Sequence, residues 1–455
     1  MSNPLSKSKT ILSTATHMAE NYLANIGARN VAASTDAFHG LKAFDGDIPD
    51  TPCDPSETLA LLDAAGSRAT TASAAGRFYG LVVGGTLPAA LGARILASAW
   101  DQVVFNDATS PVGVKLEQVA SGWLLDLLGL PADCSVGFVT GATMANVTCL
   151  AGARHALLEK QGWDVEKQGL WGAPPLRFVA GKQAHVTVLK ALSMLGVGTD
   201  RIEWVDCDDQ GRIISEKLPE TDGSTVILTQ SGNVNSGASD PIADIVNRAN
   251  GSWVHVDGAF GLWASASPST RDQLAGFETA DSWVTDGHKW LNTPYDCGIA
   301  ICKHPAAIHA AMATQAPYLK VGGTAAPKDM VPEFSRAARG VEIWAALHSL
   351  GREGLAQMLD RTCTHARALA DGLRSLGFEI LNDVVLNQVV ATIPGSEDRS
   401  AEIAAHVQKS GEAWFGPTNW QGRAAIRFSV SSWATSKEDI QRTLRAVKAA
   451  KESLD

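Results

Sequence analysis

The chain has 455 residues, enough for two or three domains and a large buried core. At 45% hydrophobic and 19% charged it has the composition of an ordinary globular protein, not of a disordered one. A formal net charge of -10, with the basic residues scattered along the chain, argues against a nucleic-acid-binding or acidic-membrane-binding surface.

In chain order, the first 75 residues read as a helical arm. Ile11 to Ile26 has helical apolar spacing, Ala43 to Pro55 is an Asp- and Pro-rich linker, and Glu57 to Ala65 is a short helix begun by Pro55 and Ser56. This arm has little core of its own and is expected to pack on something else, such as a partner subunit. Its polar, mixed start is not that of a signal peptide. The apolar stretch Leu81 to Ala99 contains glycines, a proline and Arg94, so it reads as a buried helix and not a membrane span. Residues 76–325 alternate strands with helices. Strands are expected at Ser135–Val139, Arg177–Val179, Ile202–Val205, Val226–Leu228, Trp253–Val256, Ser282–Val284 and Gly298–Cys302. Helices are expected at Thr143–Glu159, Ala184–Leu195 and Pro241–Ala249. The alternation implies an α/β fold, a mostly parallel central sheet covered on both faces, with ligands at the carboxyl ends of its strands. Residues 326–455 read as a smaller α+β domain. It has a long amphipathic helix (Val341–Leu350, then Gly354–Leu373), strands at Val389–Ile393 and Ala425–Val430, and a final helix Lys437–Lys451 capped by Ser436. The seven cysteines are odd in number and lack CxxC spacing, which suggests reduced thiols in a cytoplasm and no zinc or other metal site.

Chemistry is expected where strands end. Lys289, in Asp286-Gly287-His288-Lys289, follows an apolar strand; a desolvated amine there loses its charge more readily and attacks aldehydes. Asp257, in His255-Val256-Asp257-Gly258-Ala259, closes another apolar strand and needs a partner, for which a protonated pyridine nitrogen is suited. Gly141-Ala142-Thr143 opens a helix after a strand, a turn whose amides can meet an anion. His185 starts a helix after a strand, where its ring can lie over a planar cofactor. Asn233, in Gly232-Asn233-Val234-Asn235-Ser236-Gly237, follows a further strand and can orient a ligand. Each motif alone has a plainer reading: an exposed loop lysine, a turn-capping aspartate, a close-packing turn, a solvated histidine, a simple turn.

The order of these motifs resembles the group II decarboxylases dependent on pyridoxal 5'-phosphate (PLP), which include the aromatic-amino-acid, glutamate and diaminobutyrate decarboxylases. His288-Lys289 and His255-Val256-Asp257 carry the resemblance most specifically. Arg77-Phe78-Tyr79-Gly80, Ser335-Arg336 through Trp344, and Arg427-Phe428-Ser429 extend it along nearly the whole chain. The resemblance implies the fold-type I PLP-dependent transferase fold, with Lys289 forming the internal aldimine, Asp257 pairing with the pyridine nitrogen, and His185 and Ala259 on the two ring faces. It further implies phosphate binding by Gly141, Ala142 and Thr143 with His288 and Asp286 nearby, Asn233 as a further cofactor contact, and a homodimer with its active site at the interface. Phe78, Tyr79 and Tyr318 are candidate substrate residues, whereas Arg336, Arg339 and Arg427 read as structural ion pairs more readily than as contacts for a substrate carboxylate. The implied reaction is decarboxylation of an L-amino acid through an external aldimine and a quinonoid, with His185 as orienter or proton donor. Two departures stand out. The loop Lys320 to Phe334 has no tyrosine where the family often carries a proton-donating one, and Ala337 replaces an arginine. The first leaves open an aldehyde synthase, a carbon-carbon lyase or a transaminase; outside enzymes, a catalytically silent PLP-binding protein remains.

Overall fold

The computed structural model describes residues 4–314 and 326–454. Seven strands form the central sheet: β1 (Ser135–Val139), β2 (Arg177–Gly181), β3 (Ile202–Val205), β4 (Thr225–Gln230), β5 (Trp253–Asp257), β6 (Ser282–Asp286) and β7 (Gly298–Cys302), in the order β1-β7-β6-β5-β4-β2-β3. Neighbours from β6 through β3 run parallel, while β7 is antiparallel to both β6 and β1. Every residue of β4 to β7 is buried, so these strands read as mostly apolar and not as alternating, and their polar residues, such as His255 and Ser282, are hydrogen-bonded. The strands end two residues later than the sequence suggests at β2, β4 and β6, so Asp286 belongs to its strand.

β7 also sets the depth of the site. A side chain at Gly298 would come within 2.4 Å of the Gly141 backbone, so β7 packs directly against the turn that opens the helix Ala142–Glu159.

A second sheet of four antiparallel strands, in the order β10-β11-β9-β8, comprises β8 (Glu379–Ile380), β9 (Gln388–Thr392), β10 (Gly416–Trp420) and β11 (Arg423–Ser429). β8 is only two residues long, and β10 contains Pro417 and polar residues; both are sheet edges without the apolar signature of a central strand. The helix Gly340–Ser375 joins the two units: its first half packs on the large core and its second on the small one. It breaks at Gly351, whose φ of 61° suits glycine. The final helix, Lys437–Leu454, is capped reciprocally. Ser436 Oγ accepts the Asp439 N–H and Asp439 Oδ2 accepts the Ser436 N–H.

Two expectations change. The helix after Pro55 is capped by Asp54, whose carboxylate accepts the Ser56 N–H at 2.8 Å, and it is regular only through Leu61. The helix expected to be buried over Leu81–Ala99 spans Pro88–Trp100 and lies on the surface of the chain: Ile95, Leu96 and Trp100 are 40%, 55% and 42% exposed. Its inner face, with Ala90 fully buried, packs on the core and on the helix Gly340–Ser375, whereas these outer side chains stay exposed, as do Leu12, Leu23 and Leu62 of the N-terminal arm. Arg94 on the helix Pro88–Trp100 donates to the buried Glu342 at 2.9 Å.

Candidate active site

β5 and β6 lie side by side, and their carboxyl ends carry Asp257 and the Asp286–Lys289 turn. Asp257 is 4% exposed; its Oδ1 accepts the Ala259 N–H at 3.2 Å and its Oδ2 accepts from Asn146 Nδ2 at 3.3 Å. That second contact fixes a buried chain of hydrogen bonds. A carboxylate only accepts, so Asn146 must present its amide nitrogen there and its oxygen to His255 Nε2, 2.7 Å away. His255 therefore holds its proton at Nε2 and accepts from the Ser282 hydroxyl at Nδ1 (2.8 Å), and Ser282 in turn accepts from Trp253 Nε1 at 2.9 Å. Burial pushes His255 down to about 4, so the ring is neutral and the charge of this chain of groups rests on Asp257. Asn146→Leu would leave the Nε2–H of His255 without its acceptor. We expect a loss of about 1–3 kcal/mol, read as a lower urea midpoint at constant slope; an unchanged midpoint would remove Asn146 from this role.

At β6, Lys289 Nζ lies 3.1 Å from Asp286 Oδ2. Asp286 Oδ1 accepts the Ala142 N–H at 2.6 Å, so the catalytic-type lysine and the helix N-terminus meet on one carboxylate. Gly141 precedes that helix as its N-cap, and Thr143 is half-buried in its first turn. The Asp286 N–H donates to the carbonyl of Ala259, which sets Ala259 against the same turn. His288 Nδ1 accepts the Cys297 N–H at 3.0 Å, which leaves the ring proton at Nε2, 3.6 Å from Asp286 Oδ2; Tyr295 stacks on this ring at 4.2 Å between centroids.

His185 is the N-cap of the helix Val186–Met194, with Nδ1 accepting the Thr187 N–H and lying 2.7 Å from the Thr187 hydroxyl. Its neutral ring thus carries the proton at Nε2. Burial lowers its pKa, opposed by Asp257 and reinforced by Lys289 and Arg427, so all four side chains share one electrostatic environment.

Other candidates fall elsewhere. Tyr79 is fully buried in the small domain's core and bonds Thr443 at 3.1 Å, which removes it from a substrate pocket. Phe78 is buried and stacks on Trp414. Asn233 commits its side-chain oxygen to the N–H groups of Asn235 and Ser236, while its amide nitrogen faces Gly211. Tyr318 lies outside the described residues. Arg336 and Arg339 are structural: Arg336 pairs with Glu117 through two bonds of 2.7 and 2.9 Å, and Arg339 with Asp296 at 2.9 Å. Arg427 departs from the structural reading. Half-buried on β11 and electrostatically coupled to His185, it makes no ion pair with any described residue, and burial lowers its pKa. Asn146 closes the strand-to-helix motif Val139–Asn146 with no role expected of it there, and Tyr295 stands in no strand-end motif.

The side chains present fit PLP. A nucleophilic amine, a buried carboxylate for a pyridinium and a helix N-terminus already bound by an anion, the Asp286 carboxylate, converge at adjacent strand ends, and among the described residues no cluster of metal ligands competes with this reading. Fold and site together define a fold-type I PLP enzyme. The chain belongs to the pyridoxal-dependent decarboxylase family, whose conserved domain matches residues 69–393, and PLP is its cofactor. The aromatic-L-amino-acid decarboxylase of Bacillus atrophaeus is 25% identical over 431 residues, covering 90% of this chain and 88% of that protein. The crystal structure of Oryza sativa TDC with PLP and tryptamine superposes with a TM-score of 0.91 at 22% identity, covering all of both chains. That of the Rhodiola rosea 4-hydroxyphenylacetaldehyde synthase gives 0.86 at 19%, covering 99% of this chain and all of that one.

Proposed function

We propose that this chain removes the carboxylate of an L-amino acid, and the observation that carries this is Arg427. A half-buried guanidinium without a carboxylate partner among the described residues, within electrostatic reach of His185, suits the acid group of a substrate. When bound, PLP supplies an electron sink that weakens bonds at the substrate's α-carbon. Lys289 would hold the cofactor through Nζ, Asp257 would keep its ring nitrogen protonated, and His185 and Ala259 would face the ring. Gly141, Ala142, Thr143, His288 and Asp286 would surround its phosphate. His185 presents the proton at Nε2, which is available to orient or protonate a bound substrate, and the neutral state favoured by burial keeps that N–H from becoming a second fixed cation beside Arg427.

The active enzyme is a homodimer with its site at the subunit interface. The exposed apolar helix Pro88–Trp100 and the N-terminal arm supply surface of the kind that a second copy covers. The described cysteines are unpaired thiols, consistent with a cytoplasmic enzyme, and no described helix is long and apolar enough to cross a membrane.

One alternative has specific support. Lys320–Phe334 has no tyrosine to return a proton, which leaves room for an oxidative route in which dioxygen takes two electrons and the products are an aldehyde, CO2, ammonia and peroxide. The test is a panel of amino acids added to the holoprotein, with near-visible spectra, CO2, amine, ammonia and peroxide measured. CO2 with a stoichiometric amine supports decarboxylation; ammonia and peroxide without amine support the aldehyde route; no CO2 from any amino acid rejects both. With a substrate identified, Arg427→Met should raise KM about 10- to 100-fold, the loss of a charge-assisted hydrogen bond of about 1.5–3 kcal/mol. An unchanged KM would return Arg427 to a structural role.

A further inference from the structure

We infer that cofactor uptake at this site is coupled to the uptake of one proton, shared between Asp286 and the cofactor's phosphate. The inference rests on the reading that the phosphate lies at the N-terminus of the helix Ala142–Glu159. In the chain itself that end already meets an anion: Asp286 is buried, and its Oδ1 accepts the Ala142 N–H at 2.6 Å. A phosphate monoester above its second pKa of about 6 carries close to two negative charges. Set beside an ionised carboxylate, it would compete for the same donors, and like charges at hydrogen-bond distance force one group to keep a proton. A proton between the two oxygens turns repulsion into a short O–H···O bond.

The groups facing Asp286 offer no other compensation. From its own turn come Lys289 (3.1 Å), His288 (3.6 Å), Tyr295 and Cys297, and from the helix start after β2 comes His185. The helix Ala142–Glu159 contributes a backbone amide and no side-chain charge in its first turn. His288 already accepts the Cys297 N–H at Nδ1, so a second ring proton would break that bond; burial also disfavours it. His185 is constrained in the same way by Thr187. Tyr295 and Cys297 are held neutral by burial, Tyr295 being pushed up to about 12. Lys289 is the one cation paired with Asp286 among the described residues, and a single ammonium cannot offset both the carboxylate and a phosphate with close to two charges. An asparagine at 286 would keep the Ala142 bond through its oxygen and donate to phosphate through its nitrogen, with no proton required. The carboxylate at this position therefore sets the proton count.

The experiment uses cofactor-free, full-length protein and 4'-deoxypyridoxine phosphate, which retains ring and phosphate but cannot form an imine. Calorimetric titration at pH 8 in HEPES and in Tris gives the protons taken up per site. Wild type is expected to take up close to one proton more than Asp286→Asn, and its Kd should rise with pH more steeply by about tenfold per unit between pH 7 and 9. If the asparagine variant does not fold, Asp286→Ser reads the same difference. Equal proton counts and parallel Kd profiles in wild type and variant would overturn the coupling while leaving the PLP site intact. A wild-type protein that does not bind the analogue at any pH would overturn the site itself.

Discussion

Lys289→Ala is expected to yield a folded protein that no longer shows the near-visible absorbance of bound cofactor and that loses turnover by a factor on the order of 10³ or more. The reason is local. Nζ lies at the end of a fully buried strand, 3.1 Å from Asp286, beside the helix amide and within the electrostatic reach of His185. Among the described residues no other lysine pairs with Asp286 or contributes to the field at His185. Absorbance spectra of the protein mixed with PLP, followed by CO2 release, decide the matter. A yellow, active alanine variant would show that the cofactor is held by a different amine. A colourless but fully active one would show that the chemistry does not need the covalent attachment.

The second large effect is on stability. Arg336 and Glu117 form a two-bond ion pair with side chains only 3% and 6% exposed. Glu117→Leu should cost about 3–5 kcal/mol because it strands a buried guanidinium. The double replacement Glu117→Leu with Arg336→Met should recover most of that loss, since removing both charges removes the desolvation cost along with the attraction. Urea denaturation of the two single variants and the double variant measures this directly. A double variant as unstable as the single ones would mean that the pair's role is packing and not charge. The consequence reaches the site, because Arg336 and Arg339 lead into the helix Gly340–Ser375, and Arg339 grips Asp296 in the turn that follows Lys289.

The central sheet was legible from local pattern. Strands buried on both faces are mostly apolar, and runs such as Val226–Leu228 and Gly298–Cys302 stand out for that reason. Lys289, Asp257, His185 and Ala142 stood out as candidates through the order of their motifs along the chain, since each motif alone has an equally plain structural reading. Their convergence is what the structure adds: Asp286 touches both Lys289 and Ala142, and His185 shares its field with Asp257. What local pattern could not supply was any contact set by partners distant in the chain. Tyr79 follows Phe78 in a motif-like segment, yet the small domain's core claims it through Thr443. Asn146 lies near the start of the helix Ala142–Glu159, within a motif that points to backbone amides and not to its side chain, and its role exists only because β5 brings His255 and Asp257 to its two amide atoms. Arg427 looked like other buried arginines until the small sheet placed it within electrostatic reach of His185 with no carboxylate partner among the described residues. The sequence alone determined where the buried strands lie, to within two residues at the ends of β2, β4 and β6, since burial selects apolar runs. Only the tertiary structure decided which charges are matched and which are left for a ligand, because pairing depends on distances between segments that no local pattern encodes.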